Sequence, residues 1–494
     1  MSPQRQAGGA TPAPAEPEVP LHVTQDAVVI VPGIMGSELR STVTGDVLWG
    51  LSGAGWLLRA WTRRDGLAEL HLTEDELTGR TGRIEATRLL RHGTWTPYLR
   101  GQEPYTDLLD TVREYVADPA AVLPYPYDWR LPVATNGKLL AARAREHLTA
   151  WRAHPAHRAA LAHRADQRPA RLVFVAHSMG GLVTRSALDG SHGDDLAADT
   201  RTVITLGTPF HGSVKAAVIL NSGRGAPVPL PHAKLRALCA TMPGLHDLLP
   251  LYRCLREGDD VRRPGAGDLA SLGGHPDLAR ESLAFHARQQ GVELPDHRTV
   301  VGTRQPTWQS LSVTDGQITA YEDGPRPHSD GTLIRDRDGH VRYFAVHGDG
   351  TVYRDAATLA GHVSTVPVQH GDLARADSAL DAVADILLED LPHGVPLGEP
   401  GCGLSVPDLA EAGTAWRAVA EHVDSVQGLT CTLTDTATGT ALSAPLRMED
   451  GRPTATLTAP APGLYRVALH TYDRYTISQL VLVTQPGVAV EEAP

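Results

Sequence analysis

Short apolar runs rich in Val and Ile punctuate the chain between Asp26 and Thr303. They are "DAVVIVP" from Asp26, "AVLPYP" from Ala121, "RLVFVAH" from Arg171, "RTVITLG" from Arg201 and "RTVVGT" from Arg298. Runs that stay apolar instead of alternating predict strands buried on both faces, as in a parallel sheet covered by helices. "VRYFAV" from Val341 and "STVPVQH" from Ser364 extend the set. Helical patterns fall between the strands. A long Ala/Arg/His-rich stretch runs from about Lys138 to His163, and after His370 the residues Leu373, Ala376, Leu380, Val383 and Leu387 share one face. "IRDRDGHVRYFAV" predicts a hairpin turning at Asp338-Gly339, with its aspartates as turn residues, since a calcium loop would need further ligands. The fold class is α/β, with a mostly parallel sheet.

The pattern changes twice. Residues about 212–294 carry Pro/Gly breaks and short amphipathic pieces with no clear strand, as expected of an insertion capping an α/β core within 26–397. From 398 a Pro/Gly-rich linker and one helix, "VPDLAEAGTAWRAVAEHV", occupy 398–424. Over 425–494 "LTCTLTD", "TATLTAP", "LYRVALH" and "SQLVLVT" alternate apolar with small polar residues, predicting a small all-β, Ig-like sandwich. The opening "MSPQRQAGGATPAPAEPEVP" predicts a disordered lead-in over 1–25 and lacks the apolar core of a secretory signal.

Composition narrows the class. The 494 residues are enough for a large core, and a hydrophobic content of 41% with 21% charged residues fits a globular protein. A net charge of -12 argues against a nucleic-acid footprint and against simple docking on anionic lipid. Cys239, Cys254, Cys402 and Cys431 have no metal-site spacing and read as buried free thiols, although Cys239 and Cys254 could bridge within one loop. A cytoplasmic protein without metal or cofactor is the expectation.

One stretch carries the chemistry. "RLVFVAHSMGGLVTRSAL" seats Ser178 between a buried strand and a helix, with Ala176 and Gly180 small enough for a sharp corner. A-H-S-M-G is a near match to the G-x-S-x-G elbow that exposes a serine nucleophile. A base and an acid follow in the order Ser, Asp, His. Asp349 lies in the tight loop "AVHGDGTV" just after a predicted strand, and His370 lies after the next strand in "STVPVQHGDL". His370 is assigned as general base and then acid, and Asp349 as the group orienting its imidazole. His177, His347 and His362 are rival histidines and Asp330 the rival acid. The oxyanion amides are assigned to Met179, at the start of the helix after the nucleophile, and to Ile34 in "VVIVPGIMGSELR", with Met35 as second choice.

On these motifs the chain resembles the lecithin:cholesterol acyltransferase-like family of α/β-hydrolases. "VPGIMGSEL", "YPYDWRL", "VAHSMGG", "TLGTPFHGSVK", "VGTRQPT", "GDGTV" and "QHGDL" occur in the family's order, and "MPGLHDLLP" looks like its cap segment. The resemblance implies an α/β-hydrolase that attacks a lipid ester through its serine and passes the acyl group to an alcohol or water. It puts Ser178, Asp349 and His370 at the triad positions and Ile34 and Met179 at the oxyanion positions. Tyr127, Asp128, Trp129 and Arg130 match a structural loop beside the site. No cysteine lies near "VLWG", where secreted members carry a disulfide-closed loop. The expected partners are a lipid or acyl-ester substrate, a membrane surface touched peripherally by the cap, and a protein docked on the C-terminal β domain. Three readings stay open: a lipid acyltransferase or (phospho)lipase, an esterase or thioesterase for soluble acyl compounds, and an inactive binding protein that keeps the fold.

Overall fold

The computed structural model describes residues 23–485 apart from 51–54, 91–104, 164–166, 194, 227–229, 329, 360, 389–402, 408, 422, 424 and 471–475. At its centre lies a six-stranded sheet. Its order from one edge is His362–Val366, His297–Gly302, Thr200–Leu206, Leu172–His177, Ala27–Val31, Val122–Pro124, and every neighbouring pair is parallel. Ala27–Val31 and Leu172–His177 are buried at every position, as a sheet covered on both faces requires. The helix Val133–Ala153 packs on the helix Met179–Ala187 that follows Ser178, and Asp377–Leu387 covers the far edge with Ala379, Leu380, Val383, Ile386 and Leu387 inward. This is the α/β-hydrolase sheet, with strand C-termini converging on one rim.

Several expectations need correction. The helix expected from Lys138 to His163 is two helices, Val133–Ala153 and Pro155–His163. His154, the residue before a proline, is extended (ψ 140°) because the proline ring disfavours the helical region there. "VRYFAV" contributes Tyr343–Ala345, which pairs antiparallel with Asp323–Pro325 outside the central sheet. Its Tyr343 ring packs 3.8 Å from the Arg256 guanidinium, with Tyr321 at the same distance. The cap contains strands after all. Leu255–Glu257 and Asp260–Arg262 form a hairpin that joins Ser310–Thr314 and Gln317–Tyr321 in a four-stranded sheet. Three-residue strands carrying Arg, Glu and Asp lack an apolar signature; Arg262, bridging Glu257 and Asp268, links the turn to the following helix.

The helix expected within 398–424 is also absent among the described residues. Leu409–Glu411 and Ala415–Glu421 are strands, separated by a turn in which Gly413 has φ +77°. Trp416, Ala418 and Ala420 face inward while Ala415 and Arg417 are exposed, a period of two that the alanine content disguises as helix. The β-sandwich therefore takes in strands from Gly403 on, with sheets ordered 403–405, 415–421, 452–458, 446–449 and 409–411, 476–484, 463–470, 430–435, 441–444. It has its own core around Leu433, Leu457, Tyr465, Val467 and Val481. Leu482 instead belongs to the hydrolase core, so the two units share an apolar seam. Of the lead-in expected over 1–25, residues 1–22 lie outside the described residues. Thr24 is not disordered: it is buried and bridges Val116. Cys239, Cys254 and Cys431 are buried free thiols, so the alternative Cys239–Cys254 bridge is not formed; Cys402 lies outside the described residues. No described helix is long and apolar enough to cross a membrane.

Candidate active site

The strand Leu172–His177 ends directly in Ser178, whose backbone sits at φ 52°, ψ -127° before the helix Met179–Ala187 begins. A non-glycine residue in that region is strained, on the order of 1–3 kcal/mol, and stays there only when its surroundings hold it. Here Ser178 N–H donates to the Leu206 carbonyl of the adjoining strand (2.9 Å). Gly180 allows the turn to close: a methyl group on it would lie 2.5 Å from the carbonyl oxygens of both Val31 and Pro32.

Around that hydroxyl the structure brings together the three side chains picked from the sequence. Ser178 Oγ lies 2.8 Å from His370 Nε2, and His370 Nδ1 lies 2.7 Å from Asp349 Oδ2. All are buried, with Ser178 5%, Asp349 1% and His370 7% exposed. Asp349 Oδ1 accepts from the amides of Thr351 (2.9 Å) and Val352 (2.7 Å), which leaves Oδ2 for the imidazole. The backbone is tied as well, because His370 N–H donates to the Asp349 carbonyl (2.8 Å).

The rivals are elsewhere. His347, His362 and Asp330 are exposed, and Asp330 accepts from the amide and hydroxyl of its own neighbour Thr332. His177 is buried, with its ring nitrogens on the Tyr105 hydroxyl and the His370 carbonyl.

The route of the chain into Asp349 differs from the expectation. The strand Tyr343–Ala345 does not deliver it from the central sheet. Asp349 lies against the end of His297–Gly302, close enough that a methyl on Gly302 would meet its Cβ at 2.5 Å. Residues 303–348 form an excursion from that rim, and local clamps bring the chain back. Lys215 Nζ donates to the Gly350 carbonyl (3.3 Å) and to Thr351 Oγ1 (3.2 Å), while Thr307 Oγ1 accepts from Gly350 N–H (2.9 Å). Lys215 and Thr307 lie in "TLGTPFHGSVK" and "VGTRQPT", where nothing local to the chain signals these contacts.

The loop expected to supply the second oxyanion amide is a turn closed by Gly36 N–H on the Gly33 carbonyl (3.1 Å), with Met35 at φ 65°. Ile34 and Met35 are its central residues, and their amides make no hydrogen bond among the described residues. The "YPYDWRL" segment holds this loop from behind. Tyr127 hydroxyl donates to the Pro32 carbonyl (2.8 Å), Tyr127 N–H to Ser37 Oγ (3.1 Å), and Trp49 Nε1–H to the Met35 carbonyl (2.9 Å).

Under that segment Arg130 is fully buried, paired with Asp128 (2.7 Å) and Glu76 (2.9 Å). Burial alone would raise the Glu76 carboxyl. The Thr73 amide and the guanidinium groups of Arg83 and Arg130 more than offset this and lower it to about 2. A carboxyl depressed on folding contributes stability that is present above its unfolded value and is lost as pH falls through the folded one. Glu76→Gln should therefore cost about 3 kcal/mol at neutral pH, the lower end for breaking a buried pair. In urea unfolding series, the gap from wild type should narrow as pH drops from about 4.5 toward about 2. A gap independent of pH would mean that the charge contributes nothing.

Sheet, elbow and aligned side chains define an α/β-hydrolase. The family model described as "Lecithin:cholesterol acyltransferase" matches residues 86–266, a stretch that contains Ser178 but neither Asp349 nor His370. Over that stretch the chain is similar to the lecithin:cholesterol acyltransferase family, which supports an acyl hydrolase or acyltransferase in general. No curated protein sequence matches it. Among solved structures, the Tle4–Tli4 complex is similar at 15% identity, covering 73% of this chain and 98% of that one, with a TM-score of 0.43. The mature Bacillus licheniformis lipase BlEst2 is similar at 14% identity, covering 76% and 96%, with a TM-score of 0.32.

Proposed function

We propose that the chain is a serine-dependent lipid acyltransferase or (phospho)lipase that works through an acyl-enzyme. The observation that carries this reading is the Ser178–His370–Asp349 alignment at 2.8 and 2.7 Å on a strained strand-to-helix corner. His370 Nε2 takes the hydroxyl proton as Ser178 Oγ attacks the ester carbonyl. The amides of Met179 and Ile34 receive the oxyanion, a contribution of about 3 kcal/mol for each donor. The tetrahedral adduct collapses, the C–O bond to the leaving alcohol or lysolipid breaks, and His370 returns the proton to that oxygen. Water or a lipid alcohol, deprotonated by His370, then takes the acyl group from Ser178. Water makes the enzyme a lipase; an alcohol makes it a transferase.

The test is lipid profiling of mixed membrane lipids incubated with wild-type and Ser178→Ala protein. Fatty acid or a new acyl ester should form only with wild type. Rates higher on soluble short-chain esters or thioesters than on lipid vesicles would replace the lipid assignment by the soluble-ester one. If a serine-reactive fluorophosphonate leaves Ser178 unmodified in folded protein, the chain is instead a binding protein.

A further inference from the structure

His177 precedes Ser178, is fully buried, and its ring is bonded at both nitrogens. Its Nε2 lies 3.0 Å from the carbonyl oxygen of His370, and its Nδ1 lies 2.9 Å from the hydroxyl of Tyr105. That hydroxyl in turn accepts the N–H of Gly33 at 2.7 Å, in the turn that carries Ile34 and Met35.

Proton bookkeeping fixes every hydrogen in this chain of contacts. A carbonyl oxygen only accepts, so His177 Nε2 must carry hydrogen. The ring is neutral: burial first, and then the facing His370, push it down to about 3. A neutral imidazole protonated at Nε2 has a bare Nδ1, so the Tyr105 hydroxyl donates there. The result is one directional line: Gly33 N–H to Tyr105 oxygen, Tyr105 O–H to His177 Nδ1, His177 Nε2–H to His370 oxygen. It joins the turn offered as oxyanion donor to the backbone of the base, residues far apart in sequence, through a ring packed 5.0 Å from the His370 ring.

We propose that His177 and Tyr105 are positioning residues for the acyl transfer at Ser178, a neutral wire that sets the oxyanion turn and His370 in register with each other. The inference rests on the serine reading above. The wire bonds to the turn at Gly33 and to the backbone of His370, so it acts through them. Its neutrality matters. A charged ring at 177 would oppose the imidazolium that His370 must become in each half-reaction.

The experiment uses the full chain with a soluble p-nitrophenyl ester and a fluorophosphonate probe. Misplacing catalytic groups by about 1 Å costs up to about 100-fold. Tyr105→Phe and His177→Phe should each lower kcat and the labelling rate of Ser178 by about 10- to 100-fold, with KM changed less than about twofold. The double substitution should fall little below the worse single one, because one broken link already parts the wire. His177→Gln keeps an N–H donor near the Nε2 position and should recover about tenfold over His177→Phe.

A purely structural role would lower the unfolding midpoint while leaving kcat per labelled site unchanged, and that result overturns the proposal. Tyr105→Phe removes a single oxygen and decides the matter if His177→Phe does not fold. Wild-type protein without an adduct at Ser178 overturns the serine reading and this inference with it. An adduct formed at the same rate in wild type and variants overturns the wire alone.

Discussion

Ser178→Ala and His370→Ala should each lower turnover by about 10^4- to 10^6-fold, and combining them should lower it little further. On the serine reading proposed above, neither group would transfer a proton or an acyl chain without the other, since the 2.8 Å contact between Oγ and Nε2 would be the path of the first proton transfer. The folds should survive. Alanine at 178 removes the hydroxyl but keeps the backbone hydrogen bond to Leu206, and residue 370 keeps its N–H hydrogen bond to the Asp349 carbonyl whatever its side chain. The check is steady-state hydrolysis of a soluble ester alongside the thermal unfolding midpoint of each variant. Additive losses, or a His370→Ala variant within about tenfold of wild type, would mean that another base serves Ser178.

How much of this could be read beforehand follows from the range of the interactions. The buried strands declared themselves because a doubly covered sheet demands unbroken apolar runs, as in Ala27–Val31 and Leu172–His177. Ser178 was legible because its corner needs small neighbours. Asp349 and His370 were legible because both sit in short loops rich in glycine or turn residues, downstream in a fixed order.

What escaped was set by contacts between distant segments. Ala415–Glu421 resembles helix in composition, and only its pairing with Arg452–Thr458 makes it a strand. The cap hairpin carries one buried apolar residue per strand, Leu255 and Val261, too few for a sequence pattern, with Arg262 and the Arg256 stack adding polar ties. Tyr105 stands in no motif; its bonds to Gly33 and His177 each span 72 positions, a separation no local pattern reports. His177 is read from the sequence only as a rival base, for the opposite reason. It sat inside the best motif, and its own work was hidden by that of its neighbour.

Asp349→Asn should lower kcat by about 10^4-fold while leaving KM and stability nearly unchanged, and the reason is directional. Oδ1 of Asp349 accepts two amides, from Thr351 and Val352, so an asparagine at this position must put its carbonyl oxygen there. Its NH2 group then replaces Oδ2 and faces His370 Nδ1 across 2.7 Å. Two donors cannot share that contact. The imidazole is driven to the tautomer with a bare Nδ1 and hydrogen on Nε2, which presents a donor to Ser178 where an acceptor is needed. The base is then present, correctly placed and unable to take the proton. Single-turnover acylation should slow by the same factor as steady-state turnover, because the first step fails. Proton-detected NMR of the imidazole should report the exchanged tautomer. Near wild-type acylation with hydrogen still on Nδ1 would show that some group other than Asp349 sets the orientation of His370.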